Sequence, residues 1–151
     1  MNNQLLIIAH APLASALKEC ALHVYPDCAK KIISIDVPPH EAPETTLKRA
    51  QELAFACEAD GLLVMTDVYG ATPSNVAQKL VTGTTSKLVV GVNLPMLIRT
   101  VCYLDEGLES LVNRALTGGV KGVMQLTSSA PQYQTEQTKQ TNDSKSYNHQ
   151  Q

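Results

Sequence analysis

Short apolar runs alternate along the chain with longer stretches in which apolar residues recur every three or four positions. Leu5-Leu6-Ile7-Ile8-Ala9 is continuous, as expected for a strand covered on both faces. Leu13, Leu17, Cys20, Ala21 and Val24 then recur at helical spacing. Ile32–Ile35 predicts a second strand, followed by a proline-rich loop through Val37-Pro38-Pro39. A helix is predicted over Pro43–Glu58, burying Leu47, Ala50, Leu53 and Ala54. Gly61–Thr66 predicts a third strand, Val76 and Leu80 mark the next helix, and Leu88–Val92 predicts a fourth strand. Two short helices are expected over Pro95–Tyr103 and Leu108–Leu116, with a weaker final strand over Val120–Leu126 after Gly118-Gly119. This alternation predicts an α/β fold: an open, doubly wound sheet with helices on both faces and four parallel strands in the order 2-1-3-4.

Composition narrows the class without selecting a function. The chain has 151 residues, 44% hydrophobic and 17% charged, with a formal net charge of -2. That suits one folded domain and gives no sign of a nucleic-acid or anionic-membrane surface. No apolar run approaches the ~20 residues that cross a bilayer, and Leu5–Ala9 lacks the basic flank of a signal peptide. Cys20, Cys28, Cys57 and Cys102 form no CxxC pair, so buried reduced thiols in a cytoplasmic protein are expected. Residues 127–151 contain only Ala130, Tyr133 and Tyr147 as apolar members. Such a segment cannot offset its ordering entropy, which predicts a folded domain over residues 1–126 and a disordered polar tail over 127–151.

Three predicted strands end in a short loop with a proline opening a helix: Ala11-Pro12, Thr72-Pro73 and Leu94-Pro95. Proline is favourable there because its missing N–H would be unpaired anyway. Each alone is only a good helix start. Together they put three helix N-termini at the strand ends where open α/β sheets bind ligands, and helix N-termini favour anions. His10 stands directly after the first strand and Asp67 directly after the third. A lone histidine or aspartate at such a place is more often structural. In the order 2-1-3-4, however, the two face each other across the point where the winding reverses. A carboxylate on one imidazole nitrogen would leave the other free as a nucleophile, and would balance the charge that develops on the ring. The chain has no nucleophile elbow, no GxxxxGK[ST] loop and no carboxylate cluster for magnesium. Neither a metal nor a cofactor is expected. A dianionic phosphoryl group suits a histidine among helix N-termini, and the Thr72 hydroxyl either caps its helix or donates to that group.

Thr66-Asp67-Val68-Tyr69-Gly70-Ala71-Thr72-Pro73-Ser74-Asn75 and Gly91-Val92-Asn93-Leu94-Pro95-Met96-Leu97, spaced behind His10, resemble enzyme IIA of the mannose/fructose type in the bacterial sugar phosphotransferase system. The likeness runs in element order over residues 4–126. It implies that His10 accepts a phosphoryl group from the phosphocarrier HPr and passes it to a IIB-type or regulatory acceptor. It implies that Asp67 orients the ring, with Thr72, Ala11 and Pro12 around the phosphoryl group. It also implies a homodimer in which a fifth, antiparallel strand, matched by residues 120–126, is exchanged between copies. Membranes would be reached only through partner proteins. Ala11 stands where the family usually has glycine, Ile8-Ala9 where it has small or polar residues, and Tyr69 where many members have tryptophan. With Tyr69, Ala71 and Arg99, and no linker to a second domain, the chain looks more like stand-alone regulatory members.

Transfer between two proteins needs an approachable histidine. Around it, Tyr69 and Met96 are expected to form a partner-docking patch with Arg99 at its rim, whereas Leu97 and Leu13 are assigned to local packing. Two other readings are the phosphotransfer subunit of bacterial dihydroxyacetone kinase and a non-catalytic sensor of a phosphate-containing metabolite.

Overall fold

The computed structural model describes residues 1–128. The tail expected beyond residue 126 therefore lies almost wholly outside the described residues. The elements are β1 (Asn3–His10), α1 (Leu13–Val24), a 3₁₀ turn (Pro26–Lys31), β2 (Ile32–Val37), α2 (Pro43–Phe55), β3 (Gly61–Thr66), α3 (Thr72–Leu80), β4 (Ser86–Val90), α4 (Leu94–Val101) and α5 (Leu108–Lys121). The strands form one sheet in the order β2-β1-β3-β4, every neighbour parallel, as the alternation of runs predicts.

The continuous run of β1 has its reason in this topology. β1 lies inside the sheet with a helical layer on each face, so Leu5 to Ala9 are all buried. Leu5, Ile7 and Ala9 face α1, α4 and α5 with Leu63, Met65 and Val89. Leu6 and Ile8 face α2 and α3 with Ile35, Val37 and Val64. Truncating one of these leucine, isoleucine or methionine side chains to alanine costs about 2–5 kcal/mol.

Helix interiors differ from the sequence pattern where neighbours set the rotation. In α1 the buried stripe is Ala14, Leu17 and Ala21, which turns Leu13, Cys20 and Val24 outward. The expectation of buried thiols is corrected accordingly: all four cysteines are free, Cys20 and Cys102 are exposed, and Cys28 and Cys57 are half-buried. In α2 Thr46 and Ala50 are buried while Leu53 is exposed, and the helix stops at Phe55.

The start of the strand expected over Val120–Leu126 is also corrected. Val120 and Lys121 continue α5, and residues 122–128 hold no strand in this single chain. Gly118 and Gly119 do not stop the helix, because they are where α5 closes onto α4. A Cβ on Gly118 would lie 2.7 Å from Arg99 Cβ, and one on Gly119 would lie 2.6 Å from Met96 Cε. At Gly122 a Cβ would overlap the Pro95 ring.

Candidate active site

Ile8 pairs with Thr66, so β1 and β3 leave the sheet side by side and deliver His10 and Asp67 to the same crevice. Asp67 Oδ2 lies 2.6 Å from His10 Nδ1 and accepts the His10 main-chain N–H at 2.9 Å. Oδ1 accepts the Val68 N–H at 2.9 Å. Partial burial pushes the Asp67 carboxyl upward, but the bonds from the His10 main chain and ring and from Val68 outweigh it, so it ionises below its usual range. An ionised carboxylate only accepts, so the hydrogen between the two groups belongs to Nδ1. In the neutral ring Nε2 is then the nucleophilic nitrogen. It makes no hydrogen bond among the described residues, and the His10 side chain is 52% exposed against 12% for Asp67. One carboxylate thus shapes the loop after β3 and fixes the orientation of the ring.

Three helices begin at this edge, but they are not equivalent. The Ala11 N–H, expected near a phosphoryl group, donates instead to Val37 O at 3.0 Å and extends the sheet. Pro12 has no N–H, and its carbonyl accepts from Ala16 N and Ser15 Oγ. Neither therefore offers a free N–H, although both are exposed next to His10 in the chain. The free donors of α1 are the N–H groups of Leu13 and Ala14; that of Ser15 is held by Asp36 Oδ1 at 3.0 Å.

In α3 the cap position is Ala71 and Thr72 is the first helical residue, so the alternative in which Thr72 caps the helix is corrected. Its hydroxyl makes no hydrogen bond among the described residues. The loop is braced by Ser74, whose Oγ accepts the Gly70 N–H at 2.9 Å and donates to Ala71 O at 3.0 Å. Ser74 was not singled out from the sequence. Gly70 has φ +83°, which favours glycine, and a helix start just after such a turn is the signal that would have found the brace. In α4 the Asn93 side chain accepts the Met96 N–H at 2.9 Å, and Pro95 has no N–H. All three expected helix starts lie at this edge; α1 and α3 each keep two N–H groups without a hydrogen bond among the described residues, and α4 keeps only that of Leu94.

A family model described as the PTS system fructose IIA component matches residues 4–116. The chain belongs to that family. It is 32% identical over 96 residues to the PTS system mannose-specific EIIAB component of Escherichia coli K12, covering 61% of this chain. The Shigella flexneri protein of the same description matches equally. The match spans 30% of the length of these curated relatives. Among solved structures, the mannose/sorbose specific IIA subunit from Enterococcus faecalis superposes with a TM-score of 0.75 at 21% identity, over 84% of this chain and 96% of that one. The phosphotransferase system component EIIA from Streptococcus agalactiae gives 0.72 at 23%, over 82% and 96%. These two likenesses show the fold.

The surface around His10 in this IIA chain is only partly the expected one. Tyr69 is 76% exposed, and Val68 and Leu13, assigned elsewhere or overlooked from the sequence, are exposed as well. Met96 is corrected: it is buried in the core of the α1 face, because Gly119 on α5 leaves room for its side chain. Leu97 is buried, as assigned. Arg99 is exposed in the last turn of α4, against Gly118 and over the Tyr103 ring at 5.2 Å, on the α4–α5 pair. No helix among the described residues is long and apolar enough to cross a membrane.

Proposed function

We propose that this IIA chain is a phosphohistidine carrier, in which His10 accepts a phosphoryl group from HPr and hands it to a IIB-type or regulatory acceptor protein. The observation that carries this reading is the 2.6 Å contact of Asp67 with Nδ1, with the other ring nitrogen unbonded on an exposed side chain. The Nε2 lone pair attacks phosphorus on the donor's phosphohistidine, and the donor N–P bond breaks as its electron pair returns to the donor ring. No proton has to leave Nε2. Nδ1–H stays on His10, and the Asp67 carboxylate balances the positive charge that builds on the ring. Onward transfer is the same displacement on the acceptor.

Around the phosphoryl oxygens, the unbonded N–H groups opening α1 and α3 and the Thr72 hydroxyl are the donors that support this reading. Each helix end contributes about 0.3–1 kcal/mol, so two are used together. We assign the carrier domain to residues 1–126 and its location to the cytoplasm, with membranes reached only through partners. Leu116, Val120, Val123, Met124 and Leu126 are exposed at and beyond the end of α5, which supports a homodimer. Incubation with phosphorylated HPr is expected to label the wild-type chain with an acid-labile, alkali-stable phosphoryl group, and His10→Ala not at all. A wild-type chain that stays unlabelled by active phospho-HPr would sink the reading.

A further inference from the structure

We infer that the groove between α4 and α5, whose lining does not include His10, is a second ligand site, for a small phosphate monoester. The inference goes beyond phosphoryl transfer and does not depend on it. One cavity in the groove has a volume of about 190 Å³ and is lined by Arg99, Ser110, Asn113, Arg114 and Thr117, all polar and none acidic. Both guanidinium groups stand over the same ring, Arg114 Cζ at 3.6 Å and Arg99 Cζ at 5.2 Å from the centre of Tyr103. Arg114 is immobilised by Glu106, with Nε donating at 2.9 Å and Nη2 at 2.7 Å. Ser110 Oγ is also committed to Glu106, at 2.6 Å. Arg99 has no ion-pair partner among the described residues, and its stem lies against α5 at Gly118, where a Cβ would come within 2.7 Å of Arg99 Cβ.

A second cavity, of about 390 Å³, adjoins the first and shares Arg99 and Thr117 with it. It adds Lys121, also without an ion-pair partner among the described residues, and the apolar surfaces of Tyr25, Pro95 and Ile98. Across both cavities Arg99, Arg114 and Lys121 stand against the single carboxylate of Glu106. The surplus matches a group carrying about two negative charges, and a guanidinium fork prefers phosphate oxygens. The phosphate is placed at Arg99 and Arg114 with Asn113 and Thr117 as further donors. The organic part lies toward Tyr25, Pro95 and Ile98.

The test titrates the full chain with glycerol 3-phosphate at constant ionic strength, with glycerol as the neutral control, following the arginine Nε–Hε resonances. The shifts of Arg99 and Arg114 are expected to saturate for glycerol 3-phosphate, in the wild type and equally in His10→Ala, and glycerol is expected to do nothing. Arg99→Gln, an exposed change that leaves the melting temperature in place, is expected to raise Kd at least about tenfold, the loss of one charge-assisted contact. Shifts that grow without saturating, an equal response to glycerol, or an unchanged Kd in Arg99→Gln would each overturn the site. Binding lost in His10→Ala would assign the ligand to the His10 crevice and also overturn it. A chain that fails to accept phosphate from HPr leaves these readouts untouched, so the two readings fail separately.

Discussion

The starts of α3 and α4 carry the same local signal and end in opposite states. Each follows a parallel strand at the same edge of the sheet, and each has proline as its second helical residue. The cap position decides the difference. Asn93 turns its side chain onto the Met96 N–H and also donates to Gly119 O at 3.2 Å, which closes α4 and ties it to α5. Ala71 has no side-chain oxygen to offer, so the first N–H groups of α3 and the Thr72 hydroxyl make no hydrogen bond among the described residues. A helix N-terminus next to a candidate nucleophile is thus a phosphoryl cradle only where the chain has not capped it already. One end stabilises the fold, and the other keeps the donors that the proposed phosphoryl transfer would use.

The experiments that bear on this contrast run from total loss to a shift of about 1 kcal/mol. His10→Ala removes the group around which both helix starts are compared, and is expected to abolish labelling with the far-ultraviolet circular dichroism unchanged, since the side chain is half exposed. Residual acid-labile label on that variant would move the nucleophile elsewhere. Asp67→Asn keeps an acceptor near Nδ1 but removes the charge, and is expected to slow phosphoryl acceptance by about 10²-fold in single-turnover assays. The same carboxylate has a pH signature. Its folded value is depressed, so its stabilising contribution is complete above the ordinary carboxylate range and is lost as pH falls through the lowered folded value. Urea midpoints of wild type and Asp67→Asn are therefore expected to differ near neutrality and converge in acid. A constant difference at every pH would show that charge is not what Asp67 contributes.

Smaller effects separate docking from chemistry and then the two helix starts from each other. Tyr69→Ser is expected to slow transfer from HPr about tenfold while labelling by a small phospho-donor such as acetyl phosphate stays within about twofold, because an exposed aromatic contact acts only on a protein partner. Equal losses with both donors would place Tyr69 in the pocket. Ala71→Asn gives α3 the cap that α4 has. It is expected to raise stability by about 0.5–1 kcal/mol and to lower the labelling rate several-fold, as the new side chain occupies the donors the phosphoryl group would use. The reverse change, Asn93→Ala, is expected to cost about 1 kcal/mol in the denaturation midpoint and to leave the labelling rate nearly unaltered. A rate that falls with Asn93→Ala and not with Ala71→Asn would invert the assignment of the two helix starts.

By itself the sequence determined what depends on near neighbours and on periodicity. The buried run Leu5–Ala9 could only be a strand with two covered faces, and the alternation of runs implied the parallel sheet. Placing His10 and Asp67 after adjacent strands was enough to bring them together, because parallel strands end at a common edge. Even the closed start of α4 is written locally, as an asparagine three residues before Met96. Tertiary structure decided whatever rested on partners distant in the chain. The Ala11 N–H is spent on Val37 because β2 lies beside β1. The Ser15 N–H is taken by Asp36 from that same strand. Met96 is buried and Arg99 is turned onto Tyr103 because glycines on α5, some twenty residues further on, let the two helices close. The physical reason is common to these cases. Periodicity states which face of an element is apolar, whereas the depth of one side chain and the freedom of one N–H depend on the atoms the fold brings against them.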